Sequence, residues 1–257
     1  MKITILGCGP STGVPAIGPD WGACDPNDPR NRRRRASLLI ECRGKTVLID
    51  TSPDMREQLL EARIAHLDAV VMTHAHADHL HGLDDLRALN RLMKRSIPLY
   101  ADAATMGEIE SRFGYALGPV PAGEIFYKPT ITPHTIDGPF IAGGLPIVPF
   151  IQDHGYSTTL GFRIGSFGYS TDVVKLDEAA FAALAGIDLW IVDCLRYETH
   201  PTHSDLAKTL SWIERLKPRR AVLTHMDRQL DYRELAARLP PGVEPGQDGL
   251  VFELPDP

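Results

Sequence analysis

Four side chains able to ligate a metal fall within six positions, His74-Ala75-His76-Ala77-Asp78-His79. Neutral imidazoles and carboxylates bind Zn²⁺ and similar divalent ions at about 2.0–2.2 Å, so the residue types suit a metal centre. In extended backbone His74 and His76 project to the same side, because the pleat repeats every two residues. Asp78 and His79 follow where a helix is expected to begin, and from there they can turn toward a second ion. The plainer alternative is a histidine-rich surface loop; the apolar strand that runs straight into the cluster argues against it. Two ions about 3.5–4 Å apart activate water near neutral pH and clamp substrate oxygens, but they supply no proton to a leaving alkoxide. His203 is the candidate for that proton. It sits in Thr202-His203-Ser204-Asp205, where Thr202 and Asp205 resemble a capping box opening a helix that carries Leu206, Leu210 and Ile213. A helix N-terminus disfavours an imidazolium, so a substrate phosphate is expected to provide the compensating negative charge. His200, three residues earlier, competes for the same role.

These groups need strand ends and helix starts to hold them. Residues 2–6, 36–42 and 45–49 read as strands, the last two joined through Arg43-Gly44 as a hairpin. Thr51 or Ser52 can cap a helix with Pro53 at its first position and Met55, Leu59 and Ala62 on one face. Residues 69–72 form a short apolar strand ending in Thr73-His74, and Leu83, Leu86 and Met93 then recur at near-helical spacing. A strand at 97–100 leads to a helix capped by Asp102, with Met106, Ile109 and Phe113 facing inward. Between 115 and 150 proline and glycine allow only short strands. Thr158, Leu160, Phe162 and Ile164 alternate, and Gly165-Ser166 turns the chain into 167–170. A helix at 176–184, a strand at 188–192, a helix at 203–216 and a strand at 221–223 follow, with a short helix and strand to finish. Hairpins followed by alternating strands and helices imply a mixed pair of sheets flanked by helices. No repeat, low-complexity tract or linker divides the chain, so one domain over 1–257 is expected.

With 43% hydrophobic and 23% charged residues the composition is that of a soluble globular protein. The net charge of −6 argues against a long nucleic-acid footprint, which needs many Lys and Arg on phosphates, but not against a small anionic substrate held by metal ions. Cys8, Cys24, Cys42 and Cys194 are scattered with no C-x-x-C pair, and are expected to be reduced thiols of a cytoplasmic protein. No secretory leader and no membrane-spanning apolar run is expected.

Thr73-His74-Ala75-His76-Ala77-Asp78-His79 resembles the T-H-x-H-x-D-H signature of the metallo-β-lactamase superfamily. Four more motifs occur in that family's order. Asp50 ends a strand like the structural aspartate, and His154 in Gln152-Asp153-His154-Gly155 resembles the third histidine. Asp172 in Tyr169-Ser170-Thr171-Asp172 resembles the bridging carboxylate, and His225 in Leu223-Thr224-His225-Met226 the last histidine. The resemblance covers residues 1 to about 227. It implies an α/β (α+β) four-layer αββα fold and two divalent metal ions per chain, Zn²⁺ or Mn²⁺. It assigns His74, His76 and His154 to one ion, Asp78, His79 and His225 to the other, and Asp172 to both.

Ile5-Leu6-Gly7-Cys8-Gly9-Pro10-Ser11-Thr12-Gly13-Val14-Pro15 is similar to the opening of the family's phosphodiesterase branch, which includes tRNase Z and a phosphoribosyl cyclic phosphate phosphodiesterase. On that likeness His203, not His200, is the acid and Asp78 assists the nucleophile. The implied partner is a small cyclic or nucleotide-like phosphodiester, and a homodimer is compatible. One departure stands out. The cyclic phosphodiesterase carries an extra structural zinc on C-x-C-x-x-C with a later histidine, whereas this chain has only Cys24 in that stretch and Arg228 at the histidine position. That zinc is therefore not expected. A tRNA 3′-processing enzyme fits the opening segment, but no long basic arm is present. Thioester hydrolysis is a third option, and a non-catalytic metal-binding module the alternative from outside enzymology. The arginines of residues 30–35, broken only by Asn31, read as a solvated run, unless one reaches a substrate phosphate.

Overall fold

A computed structural model describes residues 1–118 and 128–257. Residues 119–127, part of the stretch where short strands are expected, lie outside the described residues. In chain order the strands are β1 Lys2–Gly7, β2 Ser37–Cys42, β3 Lys45–Ile49, β4 Ala69–Val71, β5 Ile97–Ala101, β6 Ile131–Thr135, β7 Phe140–Ala142, β8 Leu145–Asp153, β9 Thr158–Ile164, β10 Phe167–Ser170, β11 Leu189–Asp193, β12 Arg220–Thr224, β13 Val243–Pro245 and β14 Val251–Glu253. The helices are α1 Met55–Glu61, α2 Ala77–Leu80, α3 Leu86–Met93, α4 Ala103–Phe113, α5 Glu178–Leu184, α6 Leu206–Leu216 and α7 Tyr232–Arg238.

The strands form two seven-stranded sheets, ordered β14-β1-β2-β3-β4-β5-β6 and β13-β12-β11-β10-β9-β8-β7. The two-residue period of the strands sorts their apolar side chains into separate cores. Leu38, Ile40, Val47, Ile49 and Val71 join Phe150, Phe162 and Tyr169 in the core that the two sheets share. Leu39, Leu48, Val70 and Leu99 point the other way and pack with Met55 and Leu59 of α1, Leu86 and Leu89 of α3, and Ile109 and Phe113 of α4. Phe181, Leu184, Trp212, Ile213 and Leu235 bring α5, α6 and α7 onto the second sheet. The layers are αββα, as the family resemblance implies. Each of these buried Leu, Ile or Phe side chains contributes about 1.5–3 kcal/mol, and a one-residue slip would turn a whole strand to the wrong core.

The register sets where the site forms. β3 runs parallel to β4 with Ile49 beside Val71, and β10 runs parallel to β11 with Ser170 beside Val192. β11 in turn runs parallel to β12, with Asp193 beside Thr224. The residues that follow these strands, Asp50, Thr73-His74, Asp172 and His225, therefore emerge at C-terminal strand ends, where ligand sites of open α/β sheets also form.

Several helix starts differ from the sequence expectation. The first helix begins at Met55 rather than Pro53; Ser52 still serves its start, its Oγ accepting from the Asp54 amide at 3.2 Å and donating to Gln58 Oε1 at 2.8 Å, while Thr51 Oγ1 donates to the Leu80 carbonyl at 3.0 Å. Asp205 is itself the N-cap of α6 and accepts from the Lys208 amide at 2.9 Å, so His203 lies ahead of the helix, not on it. No described helix is long and apolar enough to cross a membrane.

Candidate metal centre

Every residue singled out from the sequence as a metal ligand comes to one place. His74, His76, His154 and Asp172 form one group, and Asp78, His79, Asp172 and His225 another, with the ligand atoms of each within 4.8 Å of one another. Asp172 belongs to both groups, one oxygen to each. Its Oδ1 lies 3.7 Å from His74 Nε2 and 3.8 Å from His154 Nε2. Its Oδ2 lies 3.0 Å from His79 Nε2 and 3.5 Å from His225 Nε2. Asp78 Oδ2 sits 3.4 Å from both His79 Nε2 and His225 Nε2.

Local backbone explains how strand ends aim these groups inward. Asp50, Asp172 and His225 all have positive φ, at 64°, 53° and 58°. The left-handed conformation is costly for residues with a Cβ, and its concentration at three strand ends here marks a functional constraint. Gly155, at φ 80°, lets the His154 loop press against the next loop, since a Cβ there would meet the Pro201 carbonyl oxygen at 2.6 Å.

For His74, His154 and His79 the far ring nitrogen is oriented by a neighbouring oxygen, which fixes the tautomer. His74 Nδ1 meets Thr73 Oγ1 at 2.9 Å, and His154 Nδ1 meets the Thr202 carbonyl at 2.7 Å. His79 Nδ1 meets Asp50 Oδ2 at 2.7 Å, and Asp50 also accepts from the Thr73 amide and hydroxyl, each at 2.8 Å. His74 Nε2 and His79 Nε2 are buried with no hydrogen-bond partner. A buried imidazole nitrogen left unpaired costs free energy unless something else binds it. Those two nitrogens facing a shared carboxylate fit a divalent metal on each side of Asp172.

Electrostatics separates the two groups. Burial pushes the His74 and His154 imidazoles below their ordinary range, keeping them neutral. Burial also opposes charge on His79, but Asp172, Asp78 and Asp50 outweigh it and hold that imidazole well above its ordinary range. Asp78 is held ionised against the cost of burial by His79 and His225.

His203 and His200 part company in the structure. His203 is buried, with its Nε2 3.9 Å from Asp172 Oδ1 and its ring stacked on His225 at 4.7 Å. His200 instead turns its Nδ1 to Thr202 Oγ1 at 3.1 Å and joins neither ligand group. Behind His203 stands Asp193, a residue whose function sequence reasoning missed. Its Oδ1 lies 3.4 Å from His203 Nδ1 and 3.8 Å from His225 Nδ1, while its Oδ2 accepts from the Ser204 amide at 3.0 Å. Burial works against the imidazolium, but Asp193 prevails and the His203 pKa is pushed up to about 9. Asp193 thus places negative charge beside His203 within the protein, in addition to any that a substrate would bring. The available signal was an aspartate ending an apolar strand, as Asp50 does.

The arginine run is only partly the solvated stretch expected, with Arg32 exposed but its neighbours otherwise engaged. Arg30 pairs with Asp28 at 2.6 Å, Arg35 with Asp54 at 3.0 Å and Arg34 with Glu61, while Arg33 is only 1% exposed. All four cysteines are free and buried.

Comparison with known proteins agrees with this geometry. Residues 45–226 match the model of the beta-lactamase superfamily domain. The crystal structure of a new diphosphatase from the PhnP family superposes with a TM-score of 0.90 at 37% identity, covering 99% of this chain and 98% of that one. The octanoyltransferase of Porphyromonas gingivalis is 34% identical over 255 residues, which are 97% of this chain but 51% of that protein. The chain spans about half, or less, of the length of the curated relatives it matches. Human tRNase Z, short form, shares the fold at 16% identity and a TM-score of 0.66, covering 99% of this chain and 100% of that one. The chain belongs to the metallo-β-lactamase superfamily.

Proposed function

We propose that the protein is a metal-dependent hydrolase acting on small phosphodiesters, cyclic or nucleotide-like, with two divalent ions, Zn²⁺ or Mn²⁺, held by the seven clustered residues. His74, His76 and His154 would hold one ion and Asp78, His79 and His225 the other, with Asp172 placed to serve both. The observation that carries this reading is the split carboxylate of Asp172, whose two oxygens face two histidine groups with the His203 imidazole alongside. When bound, the ions supply an activated water and charge stabilisation for the phosphoryl oxygens.

The chain's own residues supply the rest. His203, held protonated by Asp193, donates from Nε2 to the leaving alkoxide, a step that alkyl esters need because an alkoxide leaves poorly without a proton. Ser204 keeps Asp193 from turning away, through its amide and a hydroxyl 3.2 Å from Oδ2. Asp78, ionised between His79 and His225, orients the attacking water. His154 and His203, with ring centroids 4.8 Å apart, wall the same side of the site.

A second reading, hydrolysis of a diphosphate, is favoured by the 37% identical structure described as a diphosphatase. One experiment separates the two. Protein reconstituted with Zn²⁺ or Mn²⁺ is assayed on a chromogenic phosphodiester, on alkyl and cyclic diesters and on a nucleoside diphosphate. Faster metal-dependent turnover of the diesters supports the first reading; turnover of the diphosphate alone overturns it in favour of the second. Inactivity on every phosphate substrate with both ions verifiably bound overturns both.

A further inference from the structure

Arg33 carries a guanidinium inside the protein with no carboxylate among the described residues in ion-pair range. A buried charge is costly unless hydrogen bonds compensate it, so its partners reveal what it does. Nη1 donates to the Asp227 carbonyl at 2.9 Å and reaches the Met226 carbonyl at 3.5 Å. Nη2 donates to the Leu230 carbonyl at 2.5 Å and to Asn31 Oδ1 at 3.2 Å. Asn31 passes the charge outward, its amide donating to Asp231 Oδ2 at 2.7 Å. The backbone of Arg33 is pinned as well, exchanging two hydrogen bonds of 2.9 Å with Val14.

All these carbonyls belong to the tight loop that begins directly after His225. Two further hydrogen bonds tie that loop to the same N-terminal block, while the Asp227 amide donates to the Leu195 carbonyl at 2.9 Å. The Met226 amide donates to the Cys8 carbonyl at 2.9 Å, and the Arg228 carbonyl accepts from the Ala23 amide at 2.8 Å. Gly22 permits that approach, since a Cβ there would meet the Arg228 carbonyl oxygen at 2.6 Å. Loop carbonyls buried without partners would destabilise the turn, and a guanidinium is the one side chain whose planar fork can serve three of them together. His225 enters this loop in the left-handed conformation, which a non-glycine residue keeps only when its surroundings enforce it.

We infer that Arg33 is a positioning residue for the second metal ion, gathering the 226–230 carbonyls so that His225 holds its strained backbone and aims Nε2 at Asp78 and Asp172. The inference rests on the proposed ligand role of His225, and the test keeps the two separable. Metal-free protein is titrated with Co²⁺, following visible absorption and bound metal per chain, for the parent and for His225→Ala, Arg33→Lys and Asn31→Ser. The binding step lost in His225→Ala marks the second group. Arg33→Lys keeps the charge but not the fork, and is expected to weaken that step about 10–100-fold, the usual cost of losing an orienting partner, while the other step keeps its parent affinity. Asn31→Ser, which keeps Arg33 but removes the relay together with the hydrogen bonds of Asn31 to the Tyr232 amide and the Asp25 carbonyl, moves the same step in the same direction by less, and carries the test if Arg33→Lys does not fold. Parent-like affinity at both steps in the variants overturns the inference. So does equal weakening of both steps together with a fall in the metal-free melting temperature, because that is a role in overall stability alone. If His225→Ala keeps two steps, the ligand reading itself fails, whatever Arg33 does.

Discussion

Around His74 and His154 the outward ring nitrogens meet neutral oxygens, Thr73 Oγ1 at 2.9 Å and the Thr202 carbonyl at 2.7 Å. Around His79 and His225 they face carboxylates, Asp50 at 2.7 Å and Asp193 at 3.8 Å. The imidazoles respond in opposite ways, His74 and His154 held neutral by burial, His79 held protonatable by three aspartates. The second group therefore presents more negative charge to a cation, through Asp78 and Asp172 directly and through Asp50 and Asp193 behind the rings. A carboxylate behind an imidazole also makes it a stronger donor. Two ions held this way would not be equivalent, and the second group is the one expected to keep its ion longest.

The comparison can be broken most severely at the residue both groups share. Asp172→Ala is expected to abolish turnover and the binding of both ions, measured as metal per chain after dialysis. Loss of a single ion would mean that Asp172 does not bridge. His203→Ala comes next, lowering turnover of an alkyl phosphodiester about 10²–10⁴-fold with both ions retained. An activated aryl diester, whose leaving group needs little protonation, should suffer much less. Equal losses on the two substrates would remove His203 as the proton donor.

Asp50→Asn addresses the asymmetry itself. It should weaken binding of the second ion about 10–100-fold and bring the two affinities together, as read from stepwise removal by a competing chelator. An unchanged order of release would show that charge behind the ring does not set it. Asp193→Asn is expected to have the mildest consequence. His203 must be protonated to donate, so activity declines as pH rises through its pKa. Asp193 is the main group raising that pKa, and its neutralisation should move the alkaline limb of the rate profile to lower pH. A limb that stays in place would assign it to another group.

The strands were legible because alternation in 158–164 and hairpin chemistry at Arg43-Gly44 and Gly165-Ser166 are local properties. Strand bounds moved by a residue or two, and the first helix starts later than expected, where Thr51 has turned to the Leu80 carbonyl. The seven clustered ligand candidates were legible by type, order and resemblance. Asp193 was not, because nothing in Leu189–Asp193 distinguishes an orienting carboxylate from one that merely ends a strand. Arg33 was misread for a related reason. Six residues with five arginines look uniform in sequence, yet in the fold Arg33 is buried, Arg30, Arg34 and Arg35 pair with carboxylates and Arg32 stays exposed over Trp21.

The sequence by itself determined the layers, through which residues alternate, and the metal-binding character, through four ligating side chains in six positions. Only the tertiary structure decided that Asp172 turns one oxygen to each group, that Asp193 stands behind both His203 and His225, and that Arg33 closes the loop after His225. The reason is geometric. Parallel pairing sets the ends of β10, β11 and β12 side by side, so residues tens of positions apart share one small volume, and their mutual fields and hydrogen bonds exist only once the sheets have formed.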